Sequence, residues 1–170
     1  MAKGLSVVCL VVLAFVALPA VNAFACAAES AEPGAVASAT YNRAVECLVN
    51  EQRAAAGLGA LAHDRRLARA ASRFSASMVR EQFFAHVSPS GSTLGKRARA
   101  AGYPGGTLGE TLGWGSGTLA TPAAIVNGWM NSPPHREIVL GSFRKIGLGV
   151  AAGSPVGMDG AATVTADFGG

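Results

Sequence analysis

The chain has 170 residues, a formal charge of +4 and a hydrophobic share of 50%. That length bounds one domain, and the three cysteines include no CxxC pair, which excludes a thiol redox motif. Arginine supplies 11 of the 14 basic residues, yet basic and aromatic residues are not interleaved, so nucleic acid is excluded as an expected partner.

The first segment is expected to leave the mature protein. Met1-Ala2-Lys3 is a short positive start, Gly4 to Ala20 is almost entirely apolar, and Val21-Asn22-Ala23 is a small-residue cleavage site. Residues 1–23 are therefore read as a secretory signal peptide. An uncleaved membrane anchor fits less well, because the apolar stretch is short and Pro19 and Asn22 interrupt it. No membrane span is expected in the mature chain. Ala23-Phe24-Ala25 is a poor acylation signal for a lipid anchor on Cys26. Cleavage removes Cys9 and leaves Cys26 and Cys47, which in an exported chain read as one structural disulfide.

Residues 24–40 are small, polar and Pro/Gly-containing, an arm or linker ahead of a domain over residues 41–170. Tyr41, Ala44, Val45, Leu48, Val49 and Gln52 repeat at helical spacing and predict a helix to Ala56, stopped by Gly57. Asp64 caps the next helix, whose buried stripe is Leu67, Ala71, Phe74 and Met78. Arg66, Arg69, Arg73 and Arg80 line another face of it, solvated by default.

Ser88-Pro89-Ser90-Gly91 is turn chemistry, and Ser92 is expected to cap a short helix through Ala101. Leu108, Glu110, Leu112 and Trp114 alternate with Gly109, Thr111 and Gly113, which predicts a strand. Thr121-Pro122 opens a helix with the stripe Ile125, Val126, Trp129 and Met130, and Pro133-Pro134 is expected to end it. Ile146, Leu148 and Val150, then Val164, Ala166 and Phe168, predict a closing β-hairpin across a loop at Gly153 to Gly160. Helices first and strands later make an α+β class.

Three polar islands carry the side chains able to do chemistry. They hold His86, then Glu110, then His135. On a strand, Glu110 shares a face with apolar residues, and a buried carboxylate needs a His⁺, a metal or backbone N–H groups to answer it. Two imidazoles and a carboxylate also make the ligand set of an open Zn²⁺ site, with His86, Glu110 and His135 as candidate metal ligands. The chain has no HExxH motif; Ser88 or Ser90 near His86 would suit a serine hydrolase, but no GxSxG nucleophile elbow is present, and Glu110 stands as the catalytic candidate. His63 is read as ordinary loop, and Gly113-Trp114-Gly115-Ser116-Gly117 as a flexible loop with no following lysine.

Taken in order, Cys47-Leu48-Val49-Asn50-Glu51-Gln52-Arg53, Phe84-Ala85-His86-Val87-Ser88-Pro89-Ser90-Gly91, Gly109-Glu110-Thr111-Leu112, Trp129-Met130-Asn131-Ser132-Pro133-Pro134-His135-Arg136, Ile146-Gly147-Leu148-Gly149-Val150 and Ala166-Asp167-Phe168-Gly169 resemble the bacterial branch of the CAP superfamily, the SCP-like domains. The resemblance covers about Glu46 to Gly170. It implies a three-layer α-β-α sandwich with a central antiparallel sheet and a shallow cleft. Two histidines and two acidic residues line that cleft in the family, and some members bind a divalent metal there. His86, Glu110 and His135 match three of the positions, and Ser132 stands at the fourth. Ile138 replaces an asparagine common among relatives.

The resemblance implies no single activity. The leading expectation is a secreted, non-enzymatic binding module whose cleft of His86, Glu110, Ser132 and His135 holds a metal ion or small ligand. One alternative is a metal-assisted hydrolase of the cell envelope, with Zn²⁺ on His86 and His135 and Glu110 as third ligand or general base. Another is a lipid-binding envelope protein, suggested by the arginine stripe near Phe83-Phe84. Lipid, peptide and envelope polymer are the partner classes these readings name.

Overall fold

A computed structural model describes Met1 and residues 26–170, so the expected signal peptide lies outside the described residues apart from Met1. Helix α1 runs over Ser38–Ala55 and strand β1 over Ala62–His63. Helix α2 is Arg65–Glu81, α3 is Leu94–Ala100, and β2 is Leu108–Ser116. A 3₁₀ turn at Gly117–Ala120 leads to α4 at Pro122–Met130 and α5 at Pro133–Val139. Strands β3, Lys145–Ala152, and β4, Ala161–Gly169, close the chain.

The sheet order is β1-β3-β4-β2. The three long strands are antiparallel, and the two-residue β1 adds a parallel edge beside β3, so the sheet is mixed rather than purely antiparallel. Helix α2 packs on one face with α3 beside it, and α1, α4 and α5 contact the sheet on its other side. This is the α-β-α layering that the motifs implied.

Glycine alternation in β3 explains how closely α2 approaches. A Cβ at Gly147 would fall on the amide nitrogen of Ala68, and one at Gly149 on that of Ser72, inside van der Waals contact in both cases. Helix backbone therefore rests directly on sheet backbone. Ser75 fastens the contact, donating to the Gly149 carbonyl at 2.9 Å and meeting Thr165 Oγ1 at 2.8 Å. The alternate residues Ile146 and Leu148 join Val45, Val49, Trp129 and Phe168 in the main apolar core.

Local signals mostly gave local structure. Asp64 accepts from the amides of Arg66 and Leu67, and Thr121 caps α4 ahead of Pro122 at its first turn. Three expectations change. Helix α1 begins at Ser38, since no breaker stands between Val36 and Tyr41. The cap of α3 is Thr93, one residue after the expected Ser92: its side chain accepts from the Lys96 amide. Pro133-Pro134 does not end α4, which stops at Met130; the pair opens α5, where a missing N–H costs nothing.

The arm is folded down. Cys26 is buried and bonded to Cys47 across 21 residues, and the amide of Ala123 on α4 donates to the Glu29 carbonyl. A closure of that size contributes about 3 kcal/mol by limiting the unfolded chain. Arg53 makes a second tie. Its buried guanidinium donates to the carbonyls of Gly59 (3.0 Å), Val139 (2.8 Å), Gly141 (2.8 Å) and Phe143 (3.4 Å). It joins the end of α1 to the turn between α5 and β3.

Candidate functional site

Strand β2 is paired only with β4, so its outer side borders the candidate site. In the register, Glu110 stands opposite Asp167, and Asp167 stands opposite Gly147 beneath α2. Opposed residues of a ladder share a face, so both carboxyl groups lie on the α2–α3 side with Leu108 and Leu112. The side chain of Glu110 is only 3% exposed.

An imidazole and a guanidinium answer that carboxylate. His86 Nδ1 lies 2.7 Å from Oε1, and Arg97 from α3 donates through Nη2 to Oε2. Arg97 Nη1 also donates to the Ser92 carbonyl at 2.8 Å and to the His86 carbonyl at 3.1 Å. The guanidinium carbon sits 3.4 Å above the centroid of the Phe74 ring, a cation–π contact from the α2 stripe. One residue thus holds Glu110, the loop that carries His86, and α2.

The hydrogen bond to Glu110 raises the His86 pKa above 6.5, against burial, which lowers it. His135 differs. Its Nδ1 lies 2.8 Å from Ser132 Oγ, and its pKa is lowered, first by burial and then by the charge of His86. Ser132 caps no backbone amide of α5, leaving its hydroxyl to the imidazole. The two histidines are electrostatic neighbours with opposite tendencies.

His86 and Glu110 therefore meet directly, and His135 meets Ser132. As arranged, His86, Glu110 and His135 do not form a three-ligand metal set. Both oxygens of Glu110 are engaged, one by a guanidinium that is itself a competing cation. Among the described residues, the group whose ligand atoms all lie within 4.8 Å is Cys26, Cys47 and Glu51, whose sulfurs are spent in the disulfide. With both Glu110 oxygens engaged and each imidazole Nδ1 hydrogen-bonded, only the two imidazole Nε2 atoms remain of the three side chains, short of the three protein ligands of an open zinc site.

Other polar residues resolve as structure. Ser88 and Ser90 share a hydrogen bond at 2.9 Å, and Ser88 Oγ accepts from the Ser92 amide, which closes the turn. His63 lies in β1, with Nδ1 2.9 Å from Glu46 Oε2.

Beside His135 runs a cleft of about 380 Å³. Phe84, Leu112, Trp114, Leu119, Ile125 and Trp129 form its apolar wall, and Ser132 with His135 its polar end. Phe84 is 45% and Leu119 72% exposed, unusual for large apolar side chains.

Arg97 and Asp167 were not singled out from sequence. Arg97 carries no local signal, since only the packing of α3 brings it to Glu110. Asp167 could have been found: it is an acid on a strand whose residues are all buried. Neither of its carboxyl oxygens has a hydrogen-bond partner among the described residues. Burial, and next the charge of Glu110, raise its pKa well above the ordinary value, with Arg97 opposing. Its folded pKa exceeds the unfolded one, so its contribution is complete below about pH 4 and is lost as pH rises. Asp167→Asn should therefore gain on the native chain by about 1.4 kcal/mol per pH unit above that point, until the native carboxyl ionises. Urea unfolding at pH 4 and pH 7 checks this; a difference that does not change with pH contradicts it.

The comparisons with known proteins agree on one family. The profile of the Cysteine-rich secretory protein family, CAP, matches residues 47–166, more than half of the chain. The Bacillus subtilis protein YkwD is 34% identical over 116 residues, which is 67% of this chain and 44% of YkwD. A crystal structure of an extracellular SCP-domain protein from Bacillus anthracis has a TM-score of 0.67 at 26% identity, covering 77% of this chain and 40% of that one. An outer surface protein of Borrelia burgdorferi shares the fold, with a TM-score of 0.64 at 22% identity over 74% of this chain and 88% of its own. The match thus spans less than half the length of the two Bacillus proteins. Among the described residues, no helix is long and apolar enough to cross a membrane.

Proposed function

The chain belongs to the CAP family of cysteine-rich secretory proteins, and on that premise we propose that it works outside the cell as a non-enzymatic binding module for a small amphipathic ligand. In this reading residues 1–23 direct export, residues 24–40 are the arm, and residues 41–170 are the binding domain. The observation that carries the reading is the cleft itself, an apolar wall ending in an imidazole and a hydroxyl. Burial of a ligand's apolar body would supply the driving force, and His135 with Ser132 would receive a polar head.

Hydrolysis has less support. Ser132 and His135 touch, but the carboxylate that would orient a catalytic histidine is bound to His86 and Arg97 instead. Glu110, with both oxygens engaged, is a positioning residue for His86 rather than a free general base or a ligand for zinc. Lipid is the partner class that best suits the cleft wall.

Both tryptophans of the chain, Trp114 and Trp129, line this cleft. A brominated medium-chain fatty acid should therefore quench intrinsic fluorescence saturably. Leu119→Glu puts a charge on the exposed wall and should weaken binding about tenfold, the equivalent of one lost apolar side chain. Quenching that does not saturate, or that is equal in the variant, argues against the reading.

A further inference from the structure

The arginine stripe read along α2 is not one surface. Arg65, Arg69 and Arg73, each four residues after the last, line a groove of about 770 Å³ between α1 and α2, and Arg43 of α1 faces it. Arg66 and Arg80 do not line it. Successive members of the column rise by about 6 Å along the helix. The groove holds one carboxylate, Glu46, and that carboxylate is bound to His63. Among the described residues, none of the four arginines pairs with an acid.

That arrangement is electrostatically costly. Like charges four residues apart repel, and at the positive end of the α2 dipole, where Arg65 and Arg66 stand, the one carboxylate is the N-cap Asp64, which is spent on the backbone amides of Arg66 and Leu67. The track also continues. Arg73 lines a second cavity of about 370 Å³ together with Lys96, Arg97, Ser88 and Ser92, and its one carboxylate, Glu81, is paired with Arg80. Arg69 Nη1 reaches the carbonyl of Ala101, which lines the same cavity. A row of guanidinium groups without acid partners, leading toward a cavity that adds Lys96, fits a chain of anions rather than a single one.

We propose that this α2 track binds a linear polymer bearing repeated phosphate groups. Guanidinium forks match phosphate oxygens two at a time, and the Lys96 ammonium adds a point charge for a terminal phosphate. The polymer occupies the α1–α2 groove and the α2–α3 cavity, away from the cleft beside β2. The inference is independent of the amphipathic-ligand reading.

Inorganic polyphosphate is the probe, its binding to the full domain followed by fluorescence anisotropy from low to physiological salt. The native chain should bind with a log–log salt slope of about −3, for four contacts at about 0.7 each on a flexible polyanion. Arg69→Gln/Arg73→Gln should weaken binding at least tenfold at low salt and shrink the slope by about 1.4. Arg66→Gln/Arg99→Gln removes the same charge outside the groove and should leave binding within about twofold, with circular dichroism confirming the fold of both variants. Leu119→Glu should bind polyphosphate as the native chain does. Equal losses in the two double variants would reduce the effect to net charge and overturn the track. Competition by orthophosphate at matched phosphate concentration would overturn it too, as would binding to phosphatidylglycerol vesicles with none to polyphosphate.

Discussion

Arg97→Ala should destabilise the domain by about 3–5 kcal/mol, the cost of leaving one member of a buried ion pair without its partner. The side chains concerned are 8% and 3% exposed, so water cannot take over the lost contact with Glu110. The same substitution removes the contact over Phe74 and both bonds to the carbonyls of His86 and Ser92. Glu110→Gln should fall in the same range from the opposite side, since it strands the guanidinium. Replacing both, as Arg97→Met/Glu110→Leu, should cost less than either single change, because no buried charge is then orphaned. Urea denaturation of the three variants decides it. A double variant whose loss equals the sum of the singles would mean that the pair is not coupled.

Gly149→Ala should cost about 3 kcal/mol or more, although it adds one methyl group. The new Cβ would meet the backbone of Ala71 and Ser72, and backbone cannot rotate aside as a side chain can. The cost is wholly steric, because Gly149 does not occupy the left-handed region. Gly128→Ala provides the contrast. It sits in α4 with open space around its Cβ, and the exchange should stabilise by roughly 0.5–1 kcal/mol. Thermal unfolding of the two variants should move in opposite directions. A mild effect at Gly149 would show that α2 can lift from the sheet.

What the sequence disclosed follows from the range of each interaction. Asp64 and Thr121 cap helices within three residues of themselves, and the alternation of β2, β3 and β4 is a property of each strand alone. These features were readable. The glycines at 147 and 149 were visible as part of a strand pattern, but their purpose depends on where α2 lies. Pro133-Pro134 was ambiguous in principle, because prolines that follow one helix can equally begin the next. Glu110 was legible as a carboxylate in need of a partner, and the family motifs pointed to the histidines. Arg97 was not legible, since nothing near residue 97 reveals that α3 will cover β2. Asp167, the one carboxyl group on the wholly buried strand β4, could have been noticed. The arginine stripe was legible as a stripe; only the fold divides it between the groove and the outer surface.

Glu110 is the hinge of the account of the site. If it is an internal partner for His86 and Arg97, the site presents two imidazoles with opposite protonation tendencies, His135 lining the cleft and His86 beside Glu110. The direct test is an NMR pH titration of the imidazole signals of His86 and His135 in the native domain and in Glu110→Gln. In the native domain His86 should titrate above 6.5, through its hydrogen bond to Glu110, and His135 below, through burial and the charge of His86. Glu110→Gln should bring His86 down and leave His135 below the ordinary value. Two histidines titrating together near 6.5, or a His86 indifferent to Glu110→Gln, would contradict the account.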